Sequence, residues 1–175
     1  MKKLLEKKDP ILRKIAEPVA DSELKTESLR MLVQHMLNIM IEKGAVGIAA
    51  PQIGISKRII LFGTSYTKHR KPETEIPDTV LINPELKVSS EMTESDYEGC
   101  LNCGELMGQV PRFTEIEYSG FDLEGNFIKR HATGLEARIL QHEIDHLNGI
   151  LFIDRVKNEE NFTTIDKLRK RPETE

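Results

Sequence analysis

The sequence has no apolar run approaching the roughly 20 residues that cross a bilayer, so a membrane-spanning helix is not expected. It also lacks the apolar core of an export signal. After MKKLL come Glu6, Lys7, Lys8, Asp9 and Pro10, and a cytoplasmic protein is expected. Cysteine is scarce: Cys100 and Cys103 are too few for a disulfide framework, and in a reducing compartment they are thiols open to metal ligation or redox chemistry. Positive charge is short as well. The formal net charge is −4, and because binding phosphates needs a positive surface, neither nucleic acid as main substrate nor sequence-specific nucleic-acid recognition is expected. The chain does have 38% hydrophobic and 31% charged residues over a length of 175. That is the balance of one globular domain.

From Ser28 to Ile41 the apolar residues Leu29, Leu32, Val33, Met36, Ile39 and Met40 recur at three- and four-residue steps. This predicts an N-terminal amphipathic helix capped by Thr26 or Ser28 and ending near Gly44. Strands are expected at Arg58 to Phe62 and Thr79 to Ile82, with the polar stretch Thr64 to Asp78 as a surface loop between them. Phe113 to Tyr118 alternates as a strand, Leu123 to Asn126 supplies a Glu-Gly turn, and Phe127 to His131 returns, which predicts a hairpin. A second helix is expected from Leu135 to Leu147, stopping at Asn148 and Gly149. The order predicts an α+β fold: antiparallel strands packed around a central metal-binding helix. Residues 1–156 would form a single catalytic domain, and 157–175, ending in KLRKRPETE, a polar C-terminal tail.

The second helix carries the motif QHEIDH. Positions four apart on a helix sit one turn above each other, so His142 and His146 can offer imidazole nitrogens to one ion. Leu135 and Ile139 continue that face and turn it inward. Glu143 points about a third of a turn away, close enough to exchange a proton beside the ion without ligating it. That is the placement of a general acid/base. A catalytic site needs a third protein ligand and an open position, and Cys100 is the best candidate. Cys103 leaves an alternative open, because two cysteines and two histidines could close a structural zinc site. The interval from Cys103 to His142 is far longer than the roughly 12–15 residues of small zinc modules. His35, His69 and His131 belong to no such pattern and are expected as surface or hydrogen-bonded residues.

Three stretches, AVGIAAPQ from Ala45 to Gln52, EGCL from Glu98 to Leu101 and QHEIDHLNG from Gln141 to Gly149, resemble the peptide deformylase family in order and content. Weaker similarity runs from DPILRKIAEPV to GILFIDRV. The resemblance implies hydrolysis of the N-formyl group from the N-terminal formylmethionine of nascent polypeptides, releasing formate. It implies one divalent ion on Cys100, His142 and His146, Fe2+ in the cell with Ni2+, Co2+ or Zn2+ able to substitute. Glu143 would be the acid/base, with Gln52 and the Leu101 N–H donating to the oxyanion. Gly47, Ile48 and Gly99 would flank the substrate, and Val46, Leu135 and Ile139 would help to line the methionine pocket. The chain departs from the family pattern at Ala45, where the first glycine stands, at Asn102, where serine is usual, and at Cys103, which is no family ligand. An enzyme of nascent chains could touch the ribosome transiently, and Lys167, Arg169, Lys170 and Arg171 are the basic residues available for it.

Overall fold

In the computed structural model, which describes residues 3–67 and 74–169, the first helix, α1, spans Glu27–Lys43. The Thr26 hydroxyl accepts a hydrogen bond from Leu29 N–H at 3.3 Å, satisfying one donor that a helix start leaves open. Gly44 ends the helix in the left-handed conformation, φ 62°. Ala45, next to that turn, keeps a negative φ, which alanine adopts without strain. Glu27 before the expected span and Glu42 and Lys43 after it join the helix, and its buried face is Leu29, Val33, Met36, Ile39 and Met40.

Eight strands follow in chain order: β1 (Gly47–Ala49), β2 (Ile59–Phe62), β3 (Thr79–Val88), β4 (Thr93–Gly99), β5 (Leu106–Phe113), β6 (Glu115–Phe121), β7 (Phe127–Thr133) and β8 (Phe162–Thr164). They form two antiparallel sheets, one ordered β1-β2-β3-β6-β7 and the other β4-β5-β8. The second helix, α2 (Gly134–Leu147), packs against β1, β2, β5, β6 and β7. Along β2, Ile59 and Leu61 join the α1 cluster on one face of the larger sheet, while Ile60 and Phe62 join the α2 cluster on the other. A sheet covered on both faces needs such an uninterrupted apolar strand. The architecture is α+β.

Several elements differ from expectation. β3 runs past Ile82 because Asn83 takes φ 51° and the register shifts between Ile82 and Glu85, so the Asn-Pro pair makes a bulge where an end was expected. The Asn83 amide is held by Val19, accepting from its N–H and donating to its carbonyl, both at 2.8 Å. The strand expected from Phe113 to Tyr118 is a junction: β5 ends at Phe113, and β6 begins at Glu115 in the other sheet. The hairpin of β6 and β7 forms as expected, with the Asp122 carboxylate accepting from the Glu124 and Asn126 N–H groups at 2.8 Å and Gly125 at φ 74°. β4 and β5 have no counterpart in the sequence reading. β5 alternates, but one of its inward residues is Arg112. Beyond α2, β8 pairs with the edge of β5 and is followed by α3 (Ile165–Arg169), with Phe162 packed on Cys100, Cys103, Val110 and Phe152. Among the described residues, no helix is long and apolar enough to cross a membrane.

Candidate metal centre

β4, β1 and α2 converge on one buried point. Cys100 follows the last residue of β4, and its Sγ lies 3.3 Å from His146 Nε2. The ligand atoms of Cys100, His142 and His146 all lie within 4.8 Å of one another, and this is the group among the described residues that could hold a metal ion. Cys103 does not join it, so the four-ligand closed site weighed from the sequence is not what these residues form. A soft thiolate with two imidazoles suits Fe2+, Co2+, Ni2+ or Zn2+ and leaves a coordination position open. The set fits such an ion in a second respect: Glu143 Oε2, beside it on α2, is buried and has no hydrogen-bond partner, although the interior rarely tolerates such an atom.

The proton affinities follow from burial and neighbours. Desolvation raises the Glu143 pKa to about 7, the range in which one carboxyl can both take and give a proton at neutral pH. Burial holds His146 well below its ordinary value, which leaves a neutral imidazole with a free lone pair. For Cys100, the hydrogen bond with the Cys103 side chain and then burial raise the pKa, so loading an ion there displaces a proton. Cys103 is lowered to about 7, chiefly by that same hydrogen bond.

Glu98, the residue two before Cys100, was named in the sequence only as part of the EGCL stretch. Its carboxylate accepts from His142 Nδ1 at 2.9 Å, which fixes the ring and turns Nε2 toward the centre. It also accepts two bonds from Arg112, each 2.9 Å, and one from Arg138 at 2.9 Å. Burial opposes its ionisation, but the Arg112 and His142 hydrogen bonds outweigh that and keep it below the usual carboxylate range. Arg112 reaches on to Asp145 at 2.6 Å, and Asp145 is also bound by Arg155 at 2.7 Å. These charges join β4, β5 and α2 directly behind the histidines. Sequence reasoning missed them, and the available signal was Arg138 and Asp145 on the turns flanking His142 of a helix that also buries Ala137, Ile139, Leu140, Ile144 and Leu147.

The remaining predicted residues divide by position. Gln52 sits in the short 3-10 turn Ala50–Ile53; its Oε1 accepts from Ala49 N–H at 2.7 Å and its Nε2 points at Cys100 Sγ, 3.5 Å away. Leu101 is the first residue of the turn Leu101–Cys103, where a helical turn leaves the N–H without an internal partner. Gly47 packs so closely on Glu143 that a Cβ there would run into the carboxylate. β1, which holds Gly47 and Ile48, is an edge strand with β2 on one side, and the Ile48 side chain is buried in the α1 cluster, so only its backbone faces outward. A Cβ on Gly99 would collide with Met107. Val46, Leu135 and Ile139 belong to one apolar cluster. A cavity of about 200 Å³ is lined by Leu135 together with Phe113, Glu94, Asp96, Arg112 and Arg138, and neither Val46 nor Ile139 borders it. Asn102 ties the site's two loops to the N-terminal segment, its Nδ2 donating to the carbonyls of Gln52 at 3.2 Å and Leu5 at 2.6 Å. Of the other histidines, His131 is exposed beside Glu115, and His69 lies outside the described residues.

Comparison with known proteins agrees with this geometry. Peptide deformylase 1 of Nitrosomonas europaea is 40% identical over 168 residues, 96% of this chain and 94% of its own. Peptide deformylase 2 of Pseudomonas putida is 40% identical over 156 residues, 89% of this chain and 87% of its own. The Met-Ala-Ser-bound crystal structure of the class I type b peptide deformylase from Acinetobacter baumannii superposes with a TM-score of 0.82 at 36% identity, covering 89% of this chain and 98% of that one. The Thermotoga maritima peptide deformylase gives 0.79 at 33% identity over 90% and 99%. With the model of the family described as polypeptide deformylase matching residues 1–162 besides, the chain belongs to that metal-dependent family of hydrolases.

Proposed function

We propose that this chain carries out its family's reaction, hydrolysis of the N-formyl group from the N-terminal formylmethionine of nascent polypeptides, at a divalent ion held by Cys100, His142 and His146. The carrying observation is the convergence of those three ligand atoms beside the buried Glu143 carboxyl, whose Oε2 has no hydrogen-bond partner. Fe2+ is the ion assigned in the cell, with Ni2+, Co2+ or Zn2+ as substitutes. The ion supplies Lewis-acid polarisation and hydroxide at neutral pH.

The chain's own residues do the rest. Glu143 accepts the proton of the attacking water and delivers it to the departing nitrogen, two transfers that a pKa of about 7 suits. Gln52 Nε2 and the Leu101 N–H donate to the oxygen that gains negative charge, each such donor being typically worth about 3–4 kcal/mol. The free edge of β1 pairs with the peptide as an added strand, so Gly47 and Ile48 orient it by backbone, and Gly99 at the end of β4 flanks it. Val46, Leu135 and Ile139 receive the methionine side chain. Glu98 holds the His142 ring.

Residues 1–156 are assigned as the catalytic domain and 157–175 as a tail anchored through β8. A transient ribosome contact through Lys167 and Arg169, in a cytoplasmic setting, completes the reading; Lys170 and Arg171 lie outside the described residues. Formate release from formyl-Met-Ala-Ser, measured alongside metal content, tests the mechanism. Turnover should vanish in Glu143→Ala while the ion is retained, and activity that persists without Glu143 refutes it.

A further inference from the structure

The buried thiol next to the candidate centre has no part in the mechanism above. Cys103 follows Cys100 by three residues, and its N–H donates to the Cys100 carbonyl at 2.9 Å, closing the turn Leu101–Cys103. Such a closure keeps the two Cα atoms within about 7 Å, inside or at the limit of the span a disulfide bridges. Both side chains are free thiols, and both pack in the cluster with Val110 and Phe152. The turn therefore holds the two thiols at a sequence and backbone spacing that a disulfide can span.

We propose that Cys100 and Cys103 form a reversible disulfide under peroxide, a modification that takes the sulfur ligand out of the ion site. In the first step one sulfur attacks the peroxide, the O–O bond breaks, and a sulfenic acid and water form. In the second, the other sulfur displaces that hydroxyl, giving the S–S bond and a second water. Two thiols and one hydrogen peroxide thus become one disulfide and two waters. The Cys100 sulfur cannot serve the ion and the disulfide together, so the two states exclude each other. A lone ligand cysteine would instead continue to sulfinic and sulfonic acids, which a thiol does not reverse. Cys103 resolves the sulfenic acid before that happens. The inference rests on Cys100 being a ligand, as proposed above.

The test uses the full chain, ion-free and Ni2+-loaded, treated with hydrogen peroxide, alkylated, digested and mapped by mass spectrometry. Ni2+ binding is titrated calorimetrically before treatment, after it, and again after dithiothreitol has been applied and removed. Ion-free protein should yield the Cys100–Cys103 peptide unalkylated and lighter by two hydrogens. Its Ni2+ binding should be lost and then regained on reduction, and prior loading should protect the pair. In Cys103→Ser, and in Cys103→Ala should serine misfold, the same treatment should add oxygen to Cys100 with no recovery. Wild-type protein that gains oxygen on Cys100 as the variants do, or that fails to regain Ni2+ binding on reduction, overturns the proposal. If reduced, untreated protein binds no Ni2+ at all, the ligand reading fails instead, and the mapped linkage still reports separately on the disulfide.

Discussion

Glu143→Gln separates what this carboxyl does for the reaction from what it costs the fold. In an unfolded chain it titrates near 4.5, in the folded one near 7, because burial disfavours its charge. The folded state therefore holds its proton more tightly, so stability is highest below the unfolded value and falls as pH rises between 4.5 and 7. By pH 8 the difference amounts to about 3 kcal/mol. Glutamine keeps the shape and cannot ionise. Ion-free Glu143→Gln should match wild type below pH 4.5 and exceed it in the alkaline range. For a chain of this size each kcal/mol moves the midpoint by roughly 2–4 °C. Thermal melts of the ion-free proteins from pH 4 to pH 8 measure the gap; titrating groups away from Glu143 contribute equally to both proteins, while His142 and Cys100 feel its charge. Formate release, meanwhile, should drop by about 10²–10⁴, the usual worth of a positioned acid/base. Melting curves that run parallel across the whole range would refute the burial argument, and undiminished turnover would refute the catalytic one.

Three other perturbations reach different parts of the site. Glu98→Gln leaves Arg112 and Arg138 buried with half their compensation, so denaturant unfolding should show a loss of about 3–5 kcal/mol, and loss of the His142 support should weaken Ni2+ binding by about 10–100-fold in calorimetry. In Gly47→Ala the new methyl meets the Glu143 carboxylate, so kcat should fall with metal content unchanged by elemental analysis; wild-type turnover would mean that β1 does not press on Glu143. Gln52→Ala should lower kcat by about 10²–10³ with KM little altered, as expected for a donor used in the transition state, and a change confined to KM would count against that role.

Those parts of the molecule that obey a period were legible in the sequence. The face of α1, its cap at Thr26 (one of two candidates), the Leu123 to Asn126 turn and the i,i+4 histidine pair are all set by residues close together in the chain, and each formed where local geometry required. β4 and β5 were not legible because a strand that turns Arg112 inward reads as a strand with a polar face. The same blindness hid Glu98, Arg138 and Asp145. A charge looks like surface until its partner is known, and the partners here are 10 to 44 residues away. The junction at Thr114 was lost for a related reason: alternation continues across it while the hydrogen-bonding partner changes.

The hidden charges explain how a helix as polar as α2 can lie between two sheets. Arg138, Gln141, Glu143, Asp145 and His146 are all buried on it, and four of these five spend their polarity on named partners. Arg112 alone bridges Glu98 and Asp145, so β4, β5 and both ends of the histidine motif are fixed through one guanidinium. His146 bonds only through Nε2 and leaves Nδ1 unpartnered, and Glu143 leaves Oε2 unpartnered. Its ionisation costs about 3 kcal/mol at pH 8, while an ion present at a thousand times its dissociation constant stabilises the folded state by about 4 kcal/mol. The two are of one size. Ion binding can therefore carry the destabilising carboxylate that the reaction needs, provided that the surrounding ion pairs keep the ligands in place before the ion arrives.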